Sequence, residues 1–210
     1  MKYIIMCGGI YPNWEEPRQL TKFRNEPLVA RTIRLLKAAG VTDIAISTND
    51  ERFEGLGVPV LYHRNDYLAS KEAPRGSWVE AFYPMKEPAV YLFGDVVFSP
   101  DAIRTIVNTE VESVMFFASA PPFGRHYIKP HAEPFAFKVA DQKRFRAAIS
   151  FVKANENTGI FCRRPIAWEL WQVLNNEDVQ TINFKNYVAI NDYTCDIDCP
   201  EDVKRIEKLF

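Results

Sequence analysis

The sequence predicts an α/β protein, organised as a three-layer α/β/α sandwich around a mostly parallel central sheet. Short apolar runs alternate with amphipathic segments through the first half of the chain. The runs are continuous rather than alternating, which is typical of strands buried on both faces. The chain has 210 residues and is 47% hydrophobic, so one domain with a sizeable core is expected. Together these features indicate a Rossmann-like sheet.

The first half of the chain contains five predicted strands with helices between them. The strands cover residues 3–7, 41–47, 58–62, 89–93 and 111–118. Helices are predicted at residues 27–36 and 77–85, and a third begins near Ser99. Gly40 is a natural stop for the first helix. The third helix has Ser99 as its cap, Pro100 in its first turn and Asp101 to complement the helix dipole.

The second half is less regular. Strands are predicted at residues 134–139, 158–163 and 187–190, and helices at 141–153, 165–174 and 200–210. We find no internal repeat and no linker. The sequence therefore predicts a single domain over residues 1–210, with residues 120–195 forming a subregion over the sheet edge.

Composition narrows the class of protein. The net charge of −1 gives no basic field for nucleic acid. The four cysteines and three histidines show no zinc-binding spacing. The N-terminus begins with a strand rather than a signal peptide, and no apolar run approaches the ~20 residues of a membrane span. A reduced, cytoplasmic protein without a membrane or nucleic-acid partner is expected.

The first strand ends in Cys7-Gly8-Gly9, and a loop then brings in Arg18. Glycines allow the backbone to approach a ligand closely, and free N–H groups with a guanidinium suit a polyphosphate. The spacing matches neither a dinucleotide fingerprint nor a Walker loop, so an ordinary turn and a surface arginine remain alternatives.

Three aspartates are candidate metal ligands. Asp95 follows an apolar strand and Gly94, at the sheet edge where α/β proteins bind ligands, and its carboxylate suits magnesium. Asp196 and Asp198 alternate on one face of an extended segment. Asp198 also fits the start of the last helix, so the sequence leaves open whether it is a metal ligand or only a helix-start residue.

Other polar and aromatic residues are less specific. Ser77, after Arg75, fits either a helix cap or a contact to a base or phosphate. Four residues of the irregular half fit surface positions better than contacts to a second substrate: Lys129, Lys138, His126 and His131. Trp168 and Trp171 indicate a packed helix face, with a homodimer contact as the alternative.

Several short segments, in the order in which they occur along the chain, resemble the nucleotidyltransferases of glycosyltransferase-A-like fold. These enzymes activate sugar phosphates, alditol phosphates or phosphocholine with an NTP. The resemblance rests on the Gly-Gly turn and four further segments: Pro17-Arg18-Gln19-Leu20, Arg64-Asn65-Asp66-Tyr67, Gly94-Asp95-Val96 and the run from Asp196 to Val203. It covers roughly residues 2–118 and 158–210.

The resemblance implies roles for these residues. Arg18 would replace the family's usual lysine on the triphosphate, and Arg18 and Asp95 would be the catalytic residues. Asp95 and Asp198 would bind Mg²⁺, with Asp196 supporting them. The nucleotide would contact Cys7, Gly8, Gly9, Arg18, Arg75 and Ser77. The partners would be an NTP and a phosphorylated small-molecule acceptor, the latter bound by residues 120–195.

One segment departs from the family pattern. The loop from Gly9 to Trp14 lacks the third glycine and the arginine that normally grips the phosphates. Arg24 or Arg75 could replace that arginine. The alternative functions are a glycosyltransferase that uses a nucleotide sugar and a nucleotide-binding regulatory protein with weak catalysis.

Overall fold

The computed structural model describes residues 1–9, 14–63, 76–123, 129 and 131–209. Within these residues the strands are β1 (Lys2–Met6), β2 (Lys22–Phe23), β3 (Glu26–Pro27), β4 (Ile44–Thr48), β5 (Val60–Tyr62), β6 (Ala89–Phe93), β7 (Val96–Val97), β8 (Val114–Ser119), β9 (Glu133–Val139), β10 (Val188–Ala189) and β11 (Cys195–Asp196). The α-helices are α1 (Leu28–Ala38), α2 (Pro100–Asn108), α3 (Gln142–Asn155), α4 (Ala167–Leu174) and α5 (Pro200–Glu207). Three 3-10 turns cover Arg18–Leu20, Glu51–Phe53 and Trp78–Ala81.

A seven-stranded sheet forms the centre of the molecule, in the order β10-β8-β9-β6-β1-β4-β5. β1 pairs in parallel with β4 and β6, and β4 pairs in parallel with β5. β9 runs antiparallel to both of its neighbours, β6 and β8. The predicted mostly parallel sheet is confirmed, and residues 120–195 supply a strand inside it as well as the edge strand β10.

Helices cover the sheet in two packed pairs, α1 with α2 and α3 with α4. Every residue of β4 and β6 is buried, as the continuous apolar runs predicted. Beneath α4, the rings of Phe116 and Phe137 stack at 4.5 Å, and Trp168 meets Phe116 edge-on at 4.9 Å. Trp168 and Trp171 are 1% and 5% exposed, so the Trp-rich helix packs into the core.

A second, smaller apolar cluster holds the C-terminal segment against the first half of the chain. It contains Phe23, Leu28, Val97, Cys195, Ile197, Val203 and Ile206. These residues come from the β2–β3 hairpin, from α1, from β7, from β11 and the residue that follows it, and from α5. The cluster fixes where the segment carrying Asp196 and Asp198 lies.

Two predicted elements are wrong in type. Residues 158–163 form turns rather than a strand, because Gly159 has φ = 80° and the Thr158 hydroxyl donates to the Asn155 carbonyl. The predicted helix at 77–85 shortens to the 3-10 turn Trp78–Ala81, since Pro84 disfavours helical backbone in the residue before it. None of the described helices has the length and apolar character that a membrane span requires.

Lys138 is also not at the surface. Its side chain is buried, and its ammonium donates to the carbonyls of Ile106, Val107 and Thr109 at 3.0, 2.8 and 2.6 Å. These carbonyls lie at the C-terminal end of α2, where a cation stabilises the helix dipole. Its charge led to the prediction of a surface position, but the Lys138 ammonium instead caps the C-terminal end of α2.

Candidate active site

Asp95 lies at the carboxyl end of β6, next to the end of β1. The preceding residue, Gly94, donates its N–H to the Met6 carbonyl at 3.0 Å. A Cβ on Gly94 would lie 2.5 Å from that oxygen and 2.8 Å from the Cys7 sulfur. Glycine is therefore required sterically, and its absent side chain lets Asp95 approach the glycine turn.

A two-residue antiparallel ladder brings the C-terminal aspartates to Asp95. In this ladder β11 pairs with β7, with Asp196 opposite Val96. The N–H of Ile197 also donates to the Asp95 carbonyl at 3.0 Å. Asp95, Asp196 and Asp198 are distant in the sequence and adjacent in the structure.

Arg18 bridges two of these carboxylates. Its Nη2 donates to Asp95 Oδ2 at 2.7 Å, and its Nη1 donates to Asp198 Oδ1 at 3.1 Å. Nη1 also donates to the Ile197 carbonyl at 2.7 Å. The side chain is 8% exposed, so this arginine is a buried part of the cluster and not a surface residue. Its contact with a triphosphate remains a prediction.

Lys129 is the second cation of the cluster, and the sequence interpretation of it as a surface residue is wrong. It is 4% exposed, and its Nζ donates to Asp196 Oδ1 at 2.6 Å and Asp198 Oδ2 at 2.7 Å. The Oδ2 of Asp202 lies 3.4 Å from the same nitrogen. The sequence signal that could have indicated its burial is the group of acids at 196–202, whose negative charges favour a nearby cation.

His131 is exposed, as predicted, with its Nε2 4.0 Å from Asp198 Oδ2. His126 lies outside the described residues.

The surroundings shift the pKa values of the aspartates in opposite directions. Burial raises the pKa of Asp95; Arg18 opposes this and the negative charge of Asp196 adds to it. Burial also acts to raise the pKa of Asp198, but hydrogen bonds from Lys129 and Arg18 outweigh it and the pKa is lowered. The pKa of Asp202 is lowered as well, because the backbone N–H of Asp198 and the charge of Lys129 overcome its burial.

These shifts predict a loss of stability in acid. A carboxyl group with a lowered folded pKa stabilises the fold above its unfolded pKa, about 3.9, and this contribution is lost as pH falls through the folded value. Asp198 and Asp202 belong to this class, whereas the raised pKa of Asp95 acts in the opposite direction. We expect the urea midpoint to fall below about pH 4. Asp202→Asn should weaken the fold at pH 7 and flatten this acid dependence. If the urea midpoints of the wild type and Asp202→Asn changed equally between pH 3 and pH 7, Asp202 would not contribute to the acid dependence.

The cluster has the donor chemistry of a magnesium site. The potential ligand atoms of His131, Asp196 and Asp198 lie within 4.8 Å of one another, and Asp95 joins Asp198 through Arg18. Carboxylate oxygens are the ligands that Mg²⁺ prefers. Among the described residues, five carboxylates share the region with the cationic side chains of Arg18, Lys129 and Arg205. The carboxylates are Asp95, Asp196, Asp198, Asp202 and Glu133. When ionised they carry excess negative charge that a divalent cation would offset, so the residues present fit the metal.

A cleft of about 650 Å³ opens beside the glycine turn. Its lining residues are Cys7, Gly9, Trp14, Glu15, Glu16, Pro17, Gln19, Asn49, Asp50, Glu51, Arg52, Phe53 and Tyr62. This size is within the range of ~300–1,000 Å³ typical of small-molecule sites. Gly9 has φ = 91°, a left-handed conformation that favours glycine, and Gln19 donates to the Gly8 carbonyl at 3.4 Å. Two of the predicted nucleotide contacts, Cys7 and Gly9, therefore line one cleft.

Ser77 does not cap its turn through its hydroxyl. Its backbone N–H donates to Glu80 Oε2 at 3.0 Å, while its Oγ is buried without a hydrogen-bond partner among the described residues. It is not among the residues that line the cleft, so its contact with the nucleotide remains a prediction. Arg75 and the segment 64–67 lie outside the described residues. Arg24 lies in the β2–β3 turn, where its N–H donates to Glu207, and its substitution for the missing arginine also stays untested.

Comparisons with known proteins identify the family and the fold of the chain. Residues 3–154 match the model of the MobA-like NTP transferase domain. A glucose-1-phosphate thymidylyltransferase assigned in Bacillus anthracis has a similar structure, with a TM-score of 0.58, 17% identity and coverage of 99% of this chain and 94% of the other. The CTP:phosphocholine cytidylyltransferase of Streptococcus pneumoniae gives a TM-score of 0.53 at 14% identity, with coverage of 99% and 97%. A search of curated protein sequences finds no match.

The match to an NTP transferase domain, on a fold shared with two nucleotidyltransferases, identifies an enzyme that transfers nucleotidyl groups. The family match spans more than half of the chain, and the chain belongs to the MobA-like NTP transferase family. The resemblance found in the sequence is thereby confirmed at the level of family and fold.

Proposed function

We propose that this enzyme joins an NMP from an NTP to a phosphorylated small molecule and releases pyrophosphate, with Mg²⁺ as its cofactor. The observation that carries the proposal is the Arg18 guanidinium bridging Asp95 and Asp198 beside a 650 Å³ cleft. Sugar phosphates, alditol phosphates and phosphocholine are the acceptors to test first. Two of these classes are named in the structurally similar enzymes.

In the proposed reaction, a phosphate oxygen of the acceptor attacks the α-phosphorus of the NTP. A new P–O bond forms, and the bond between the α-phosphorus and the oxygen bridging to the β-phosphorus breaks. Pyrophosphate leaves with that electron pair. No general base is required, because a phosphate monoester is already anionic near neutral pH. Rate acceleration therefore depends on alignment and on neutralising charge.

The residues of the cluster supply that alignment. When bound, the magnesium ion would be held by Asp95 and Asp198, with Asp196 adjacent, and would neutralise charge on the α-phosphate. Arg18 holds the two carboxylates on one guanidinium, and its chain neighbours Pro17 and Gln19 line the cleft. To contact the leaving pyrophosphate, the Arg18 guanidinium would have to share or exchange its hydrogen bonds to Asp95 and Asp198.

A matrix of nucleotides and acceptors tests the function. Each NTP is first screened with Mg²⁺ for thermal stabilisation, which grows with the ratio of ligand concentration to Kd. The stabilising NTP is then incubated with glucose 1-phosphate, an alditol phosphate or phosphocholine, and pyrophosphate is measured. Acceptor-dependent pyrophosphate release is expected with one combination. A nucleotide sugar is supplied in place of the NTP as a further arm, and its hydrolysis or transfer without pyrophosphate release would instead indicate a glycosyltransferase. NTP binding without any product would indicate a regulatory protein.

Arg18 variants test its role in this reaction. We expect Arg18→Met to lower kcat/KM by about 100-fold, because a charge-stabilising donor is lost. Arg18→Lys should recover part of the activity, since the charge remains but the bidentate geometry does not. The matched control is Arg104→Met, which removes an exposed arginine paired with Asp101. Full activity in Arg18→Met, measured by pyrophosphate release, would remove Arg18 from the mechanism.

A further inference from the structure

Trp14 connects the cleft to the acidic cluster. Its indole Nε1 donates to the backbone carbonyl of Asp198 at 3.3 Å. The same ring packs, partly buried, against the small apolar cluster around Phe23 and Ile197, and it lines the cleft. One edge of the indole is thus fixed by a hydrogen bond and the ring is supported by apolar contacts, while its remaining surface borders the cleft.

The other aromatic residues of the cleft offer less. Phe53 is 1% exposed, so little of its ring can contact a ligand. Tyr62 is 56% exposed, with its hydroxyl hydrogen-bonded to Glu54. Among the described lining residues, Trp14 is the aromatic ring that combines a supported position with accessible surface.

We infer that Trp14 is the stacking platform for the nucleobase of the bound NTP. The inference rests on the proposed function and assigns the base to the Trp14 side of the cleft. An aromatic side chain recognises the π-face that all bases share, and such stacking contributes about 1–3 kcal/mol per base. A ring already fixed in place loses little conformational freedom when the base binds. Trp14 stands at the end of the loop that departs from the family pattern.

Binding measurements separate the base from the phosphates. The probes are the NTP that stabilises the wild type most, and inorganic tripolyphosphate, which has no base. Trp14→Leu should weaken NTP binding by about 5- to 150-fold, the fold-change that corresponds to a lost stacking contact, and should leave tripolyphosphate binding unchanged. Trp14→Phe should retain most of the NTP affinity because a ring remains.

Intrinsic fluorescence provides the second readout. A base stacked on an indole quenches its emission, so the NTP should quench the wild type but not Trp14→Phe. The matched control is Trp171→Phe, which removes a buried indole whose Nε1 donates to the backbone carbonyl of Lys185. This control should still be quenched by the NTP.

The outcomes distinguish this inference from the proposed function. Equal weakening of NTP and tripolyphosphate in Trp14→Leu would show that Trp14 acts only through Asp198, and would overturn the stacking role. Unchanged NTP affinity in that variant would overturn it as well. Neither result would affect pyrophosphate release by the wild type. Conversely, quenching through Trp14 without any product in the acceptor matrix would contradict the proposed reaction and leave the stacking role intact.

Discussion

Replacing Asp95 with asparagine should lower nucleotidyl transfer by about 100- to 1,000-fold while changing the free energy of unfolding by only about 1 kcal/mol. The activity falls because the amide provides no negative charge for a divalent cation. Stability is retained because asparagine still offers an oxygen to Arg18, and Arg18 keeps its bonds to Asp198 and the Ile197 carbonyl. The substitution also removes a partly buried charge, and burial, which raises the pKa of Asp95, disfavours its ionised form.

The measurements are pyrophosphate release, urea denaturation at pH 7 and Mg²⁺-dependent thermal shift. Asp101→Asn is the matched control, because Asp101 is an exposed aspartate paired with Arg104 at the start of α2. It should keep its activity and its response to magnesium. Wild-type activity in Asp95→Asn, or a large loss of stability with activity per folded molecule unchanged, would show that Asp95 has a structural role only.

Substitution of Gly94 by alanine should damage both folding and activity. The added Cβ would lie 2.5 Å from the Met6 carbonyl oxygen and 2.9 Å from Cγ of Gln19, so the backbone of β6 or β1 must move. Overpacking of this kind costs about 1–3 kcal/mol of stability. Asp95 is the next residue, and a displacement of about 1 Å in a catalytic group can reduce turnover about 100-fold.

Gly159→Ala is the control for Gly94→Ala, because it introduces backbone strain without a steric clash. Gly159 has φ = 80°, but a Cβ there would meet nothing within 4 Å. Alanine should cost about 1–2 kcal/mol there through its left-handed conformation, and activity per folded molecule should be unchanged. Thermal unfolding and pyrophosphate release should therefore show two destabilised proteins, of which only Gly94→Ala is impaired in turnover. Normal turnover by folded Gly94→Ala would mean that the turn before Asp95 tolerates displacement.

Local sequence signals were sufficient for the elements that carry Asp95. The run from Ala89 to Phe93 is fully buried as β6, and Asp95 follows it at the carboxyl end of a parallel strand, as expected. The start of α2 also follows its signals, since Ser99 accepts from the Ala102 N–H at 2.8 Å and Pro100 opens the helix. These features depend on a few neighbouring residues, and hydrophobic periodicity and cap preferences report them directly.

The partners of the cluster could not be predicted in the same way. β7 and β11 have two residues each, too few for any periodic pattern, yet their pairing places Asp196 and Asp198 beside Asp95. β9 was predicted as a strand, but nothing in its own residues specified a position between β6 and β8. Lys129 carries no local signal of burial, because the two acids that accept its hydrogen bonds, Asp196 and Asp198, lie far along the chain.

The α/β class, the resemblance to NTP-using transferases, and the candidate residues around the glycine turn and the three aspartates can all be predicted from the amino-acid sequence. The folded structure was needed to show that Arg18 bridges Asp95 and Asp198, that Lys129 is buried among the acids, and that Trp14 joins the cleft to this cluster. Short-range patterns encode which residues are buried and in which element. Pairing between charges depends on which distant segments the packed sheet and the small apolar cluster bring together.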